Sequence, residues 1–189
     1  MNNTITFQNG FNPHISRFKK ITLDDEHYGK LTGSIIKLIN KREAKLNRKL
    51  SDDEKISLFK KPFMQVAGET VMEQFLGLDF VDYNDVSDIK IAHINKITGK
   101  KGLDISTFSY GFLPLVYGRT YRKTIFICMI SKREYYICGL GSPTVINGYS
   151  KSDLVISDRL RMAGKAAFYG FDQLKQLSSS TSEFLKIIV

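Results

Sequence analysis

The sequence predicts a mixed fold, α/β or α+β, with a mixed central sheet flanked by helices. Three observations carry this expectation. Apolar residues recur at helical spacing through the first part of the chain, two-residue alternation takes over after Gly77, and helical spacing returns near the C-terminus.

Residues 1–23 contain Gly10, Pro13 and scattered aromatics without a sustained period, and read as an N-terminal arm or loop. The helical part spans 24–77. Ile35, Leu38, Ile39, Leu46 and Leu50 recur at helical steps, while Lys37, Lys41, Arg42, Lys45, Arg48 and Lys49 fill other positions. Gly29 and Gly33 weaken its first turns. Ser51-Asp52-Asp53-Glu54 has capping-box spacing, a hydroxyl followed three residues later by a carboxylate, so a second helix starts there. Pro62 is expected to interrupt it. A further helix over 64–77 turns Val66, Val71, Phe75 and Leu76 inward and sets Glu69 and Glu73 on one face.

Sheet and closing helix span 78–177. Strands are expected at 79–82 and 87–94, the second with Asp88 and Lys90 on the same side. Another is expected at 103–108, and the clearest hairpin pairs 123–130 with 134–140 around Ser131-Lys132-Arg133. Leu160, Ala163, Ala167, Phe168, Phe171 and Leu174 step as a helix over about 157–177, and 178–189 reads as a C-terminal tail. With 189 residues, a single domain over 1–189 is expected.

A hydrophobic content of 42%, with 13 Phe and 9 Tyr, argues for a packed chain. No run of about 18 apolar residues suggests a membrane span, and MNNTITFQNG has no basic stretch leading into an apolar one, so a cytoplasmic protein is expected. Cys128 and Cys138 lack His or Cys companions at zinc spacing and read as buried core residues.

Lys and Arg number 28 against 19 acids, a formal net charge of +9, which favours a polyanionic partner. The charge is unevenly spread. Residues 69–88 hold Glu69, Glu73, Asp79, Asp82, Asp85 and Asp88 without a Lys or Arg. Residues 89–133 then carry nine basic residues against Asp104 alone, among them Lys96, Lys100, Lys101, Arg119, Arg122 and Lys123, the expected nucleic-acid-binding set. An acidic knot in a basic frame suits phosphodiester hydrolysis: carboxylates hold the cation and bases hold the backbone.

Asp88-Ile89-Lys90 sends a carboxylate and an ammonium into one pocket, Asp79 or Asp82 brings a second carboxylate, and Glu69 a third. This pattern over roughly 64–94 resembles the PD-(D/E)xK nuclease superfamily, which includes restriction endonucleases. The resemblance implies a restriction-endonuclease-like core and a Mg²⁺-dependent endonuclease, with Mn²⁺ as substitute. It gives Asp88, Lys90 and Glu69 catalytic positions, and Asp79, Asp82 and Asp88 metal positions. No proline precedes either candidate first aspartate, and Asp82 stands close to Asp88 for this family, which keeps Asp79 in play. In a second registration Asp88 is the first acid and Asp104 the second; Ser106 then replaces the family lysine and Lys90 reaches over from its own strand. The first registration is adopted here.

The implied partner is nucleic acid, with DNA expected, and a restriction-like role would call for a homodimer that cuts both strands. The alternatives are a non-catalytic nucleic-acid-binding protein and an inhibitor that binds an acidic protein surface. Tyr110, Tyr117 and Tyr121, interleaved with Arg119, Arg122 and Lys123, offer base-stacking surfaces but read first as core. His14, His27 and His93 stand too far apart in sequence to suggest a ligand set.

Overall fold

The computed structural model describes residues 6–84, 93–98 and 102–188. Asp85, Asp88, Lys90, Lys100, Lys101 and most of the expected strand at 87–94 lie outside the described residues. Within them the chain is mixed α+β, with seven α-helices and two sheets.

Two long helices carry one side of the molecule. Helix α2 (Asp25–Leu46) starts at Asp24, whose carboxylate accepts the His27 N–H at 2.8 Å, and stops at Asn47 in the left-handed region. Helix α3 (Asp52–Leu76) opens with the expected Ser51/Glu54 capping box and ends at left-handed Gly77. It runs unbroken through Pro62, contrary to expectation. The proline removes one backbone bond, a cost of about 3 kcal/mol. Burial of Phe59 on one side and Val66, Ala67, Val71, Met72 and Phe75 on the other outweighs it.

The main sheet has the order β1 (Lys19–Thr22), β5 (Glu134–Gly141), β4 (Lys123–Met129), β2 (Leu103–Ser109). Strands β4 and β5 form the expected hairpin, and β2 runs parallel to β4 with Leu103 opposite Lys123 and Ser109 opposite Met129. The β4/β5 register slips by one residue at Phe126/Ile127, between the pairs Phe126–Gly139 and Ile127–Ile137, leaving Cys138 as the extra residue of a bulge. Gly139 has φ 132°, and a Cβ there would stand 2.6 Å from the Lys175 carbonyl oxygen. That close approach lets Leu140 exchange backbone hydrogen bonds with Lys175.

Alternation along β4 divides the core. Ile125 and Ile127 face the side of Val66, Val71 and Met72, whereas Phe126 and Cys128 face a second cluster built from Phe11, Phe108, Phe168 and Phe171. A smaller antiparallel sheet, β3 (Leu115–Tyr117), β7 (Lys165–Phe168), β6 (Ser150–Lys151), completes that second side. Both cysteines are free and buried as expected, and burial pushes the Cys128 thiol up to about 12 and that of Cys138 well above its ordinary range.

Four segments differ from the sequence reading. The N-terminal arm contains α1 (Phe7–Phe11), a 3₁₀ turn over Asn12–Arg17 and β1, because Phe7, Phe11 and Phe18 bury themselves in the aromatic cluster. Residues 78–82 form no strand, since their backbone bonds to a side chain of α3. The expected closing helix is α6 (Asp158–Met162) followed by β7 and a 3₁₀ turn, Phe171–Gln173; Lys165–Phe168 bonds between β3 and β6 instead of coiling. The tail carries α7 (Thr181–Ile188), anchored by buried Phe184 and Ile188, after α4 (Asn95–Thr98) and α5 (Pro143–Gly148) earlier in the chain. No helix of the described residues is long and apolar enough to cross a membrane.

Helix α3 rests directly on β2. A Cβ on Gly68 would meet Thr107 Oγ1 at 2.1 Å and Ile105 Cγ2 at 2.8 Å, so only glycine allows this approach. Alanine gains about 1 kcal/mol of helix propensity and loses more through forced separation of helix and strand, about 1–3 kcal/mol or above. Gly68→Ala is therefore expected to lower the denaturation midpoint, whereas the same change at Gly29, which has open space, should raise or preserve it. Equal effects at both sites would contradict the packing argument.

Candidate active site

Glu69 and Glu73 stand one turn apart on α3, and both are about 1% exposed. Each holds a later stretch of backbone. Glu73 Oε1 accepts the N–H groups of Phe80 and Val81, both at 2.6 Å, and Oε2 accepts the Tyr83 hydroxyl at 2.5 Å. Glu69 accepts the His93 N–H at 2.8 Å and the Ile94 N–H at 3.1 Å, one on each oxygen. Desolvation raises the Glu69 carboxyl to about 7, opposed by those two N–H bonds.

Beside Glu69 opens a cavity of roughly 220 Å³, space for several waters at ~30 Å³ each. Helix α3 contributes Gln65 and Glu69 to its wall, β2 contributes Asp104 and Ser106, and β4 contributes Thr124. Tyr117 of β3 and Lys165 of β7 close it from the second sheet. The Arg122 guanidinium donates to Asp104 Oδ1 at 3.0 Å. Lys165 Nζ lies 3.3 Å from the centroid of the Tyr117 ring, a cation–π contact between direct cross-strand neighbours. Asn147 bonds both backbone groups of Thr120, at 2.9 and 3.1 Å, and fixes the turn between Tyr117 and Arg122.

Of the acids singled out in the sequence, Glu69 lines this cavity with Asp104, the second acid of the alternative registration. Asp79 and Asp82 do not. The Asp79 side chain is 89% exposed and sits 3.5 Å from Lys30, while Asp82 accepts the Asn84 N–H in a turn. The basic set divides as well: Lys96 is exposed on α4, Arg122 is tied to Asp104, and Lys123 donates to the Ile188 carbonyl at 2.9 Å. Arg119 shares a shallow shelf with Arg161, Tyr117 and Lys165 next to the cavity. Among the described residues no three His, Cys, Asp or Glu side chains gather at one point.

Sequence reading missed Gln65, Thr124 and Lys165. Gln65 stands four residues before Glu69, so helical spacing could have found it. Lys165 was hidden because its segment steps like a helix. The chain matches no protein-family model, curated protein or solved structure.

The Glu69 carboxyl makes a pH prediction. Its value of about 7 exceeds the ordinary 4.5, so between those pH values the folded chain binds more protons than the unfolded one. Stability from this group is then full below about pH 4.5 and falls as pH rises through about 7. In metal-free urea unfolding, wild type should lose about 1–3 kcal/mol between pH 4.5 and 7.5 relative to Glu69→Gln. A difference between the two proteins that does not vary with pH would contradict this assignment.

Proposed function

We propose that this chain hydrolyses phosphodiester bonds of nucleic acid, with DNA the expected substrate, at the cavity between α3 and β2. The observation that supports the reading best is that Glu69 and Asp104 face one cavity while Asp79 and Asp82 stand outside it. That favours the registration in which Asp88 is the first acid and Asp104 the second. Asp88 precedes His93 by five residues, and the His93 N–H is bound to Glu69.

The oxygen groups of the lining support a Mg²⁺ or Mn²⁺ ion as the cofactor. Such ions take hard oxygen donors. Gln65 and Glu69 of α3 and Asp104 of β2 bring such oxygens to the lining, and each Glu69 oxygen that accepts an N–H retains a second lone pair. When bound, the ion supplies relief of negative charge on the attacked phosphate and a more acidic water. Arg122 holds Asp104 in position, and the hydroxyls of Ser106 and Thr124 offer donors to phosphate oxygens. Arg119 and Arg161 on the adjoining shelf suit the flanking backbone.

Non-catalytic nucleic-acid binding is the second reading. Ser106, standing where the family pattern has lysine, is the observation on its side.

Plasmid, single-stranded DNA and RNA should be incubated with the protein in Mg²⁺ and in chelator. Cleavage is expected only with the metal. Asp88→Asn and Asp104→Asn should each lower it by about a hundredfold or more while Asp79→Asn and Asp82→Asn leave it within a few fold, by the magnitude typical of groups acting in the transition state. Full activity of Asp104→Asn would remove the reaction centre from this cavity. Metal-dependent binding without cleavage by wild type would establish the second reading.

A further inference from the structure

We propose that Lys165 is the catalytic cation of this cavity, delivered by β7 of the second sheet to contact the attacked phosphate, in the role that Ser106 on β2 cannot fill. The inference rests on the nuclease reading above and adds to it a residue from outside the segment that carries the family resemblance.

Four observations carry it. Lys165 lines the same cavity as Glu69 and Asp104 and is the cation of that lining among the described residues. Its side chain is pre-set: Tyr117 lies directly opposite in the β3/β7 register, and the ammonium rests on its ring at 3.3 Å. A lysine held this way has already given up much of its rotamer freedom, so it loses less on meeting an anion. The third observation concerns charge. Asp104 is matched by Arg122 and Glu69 by two backbone N–H groups, while Lys165 enters no ion pair among the described residues. Its ammonium meets the Tyr117 ring, and no carboxylate among the described residues neutralises its positive charge. Finally, the backbone that places it is fixed at both ends of the strand pair, by the Gly118 N–H bonded to the Gly164 carbonyl at 2.9 Å and by the Phe168 N–H bonded to the Pro114 carbonyl at 2.9 Å.

In the reaction a water oxygen bonds to phosphorus as the bridging P–O bond breaks, and a water proton ends on the leaving oxygen. Lys165 gives up no proton. Its ammonium hydrogen-bonds a non-bridging phosphate oxygen and opposes the charge that accumulates there.

The test compares wild type, Lys165→Ala, Lys165→Arg and Asp104→Asn for kcat, KM and melting temperature on the substrate that wild type cleaves. Lys165→Ala should lose about a hundredfold in kcat with KM within a few fold, and Lys165→Arg should recover part of it. Added ethylammonium should restore turnover to Lys165→Ala and leave Asp104→Asn inactive. A purely structural lysine, stapling β3 to β7 through Tyr117, would lower the melting temperature without that rescue. Near-normal kcat in Lys165→Ala, or a loss that ethylammonium does not repair, would overturn the proposal while inactive Asp104→Asn kept the nuclease reading intact. If Lys165→Ala does not fold, Lys165→Met, which keeps the apolar stem and fills the space an added amine would need, takes its place: a loss of about a hundredfold in kcat at an unchanged melting temperature, partly recovered in Lys165→Arg, supports the proposal, and near-normal kcat overturns it. Absence of cleavage by wild type on every substrate would overturn both.

Discussion

Two buried carboxylates on α3 set the course of the chain on this side of the molecule. A carboxylate taken out of water without partners is costly enough that it would protonate or unfold its surroundings. Here Glu73 and Glu69 are met by four backbone N–H groups and the Tyr83 hydroxyl. Those same N–H groups belong to irregular backbone that would otherwise lack partners. Helix and returning chain therefore satisfy each other, and neither can be altered alone. Leaving either set unpaired would cost about 1–3 kcal/mol for each buried group. Gly68, immediately before Glu69, makes the arrangement possible by letting α3 approach Ile105 and Thr107 of β2.

From that contact the cavity follows. Seating α3 on β2 brings Gln65 and Glu69 beside Asp104 and Ser106, and the small second sheet then covers the opening with Tyr117 and Lys165. Five elements, α3, β2, β3, β4 and β7, thus meet at one concavity that joins two carboxyl groups, hydroxyls, an amide and one ammonium. The aromatic cluster on the far side of β4, with Phe126 stacked on Phe168 at 4.5 Å between centroids, anchors β7 and so holds Lys165 at the rim. Packing remote from the cavity consequently determines the position of a charged group inside it.

Much of this was legible in the sequence, and the parts that were not share a cause. Local signals worked: the Ser51 capping box, the β4/β5 hairpin, the buried thiols, and Glu69 with Glu73 on one face all follow from neighbours a few residues apart. Pro62 misled because propensity is a local quantity, whereas the burial that carries α3 through it is tertiary. Lys165–Phe168 was missed because Ala166 and Ala167 favour helix, and only pairing with β3, some fifty residues earlier in sequence, makes the segment a strand. Asp79 and Asp82 looked like site residues because they lie near Glu69 and Asp88 in sequence; the fold turns both toward solvent and brings in Asp104 instead. Proximity along the chain pointed to Asp79 and Asp82, whereas pairing of β2 in the sheet is what sets Asp104 in the lining beside Glu69.

The central claim is that Glu69 and Asp104 form part of a divalent-metal centre. Titrating Mn²⁺ into wild type, Asp104→Asn and Asp79→Asn at pH 7.5 while following the melting temperature tests it without a substrate. An ion bound only by the folded chain should raise the wild-type midpoint progressively with concentration. Asp79→Asn should respond like wild type and Asp104→Asn much less. The same upward shift in all three proteins, or none in wild type at millimolar Mn²⁺, would contradict the account.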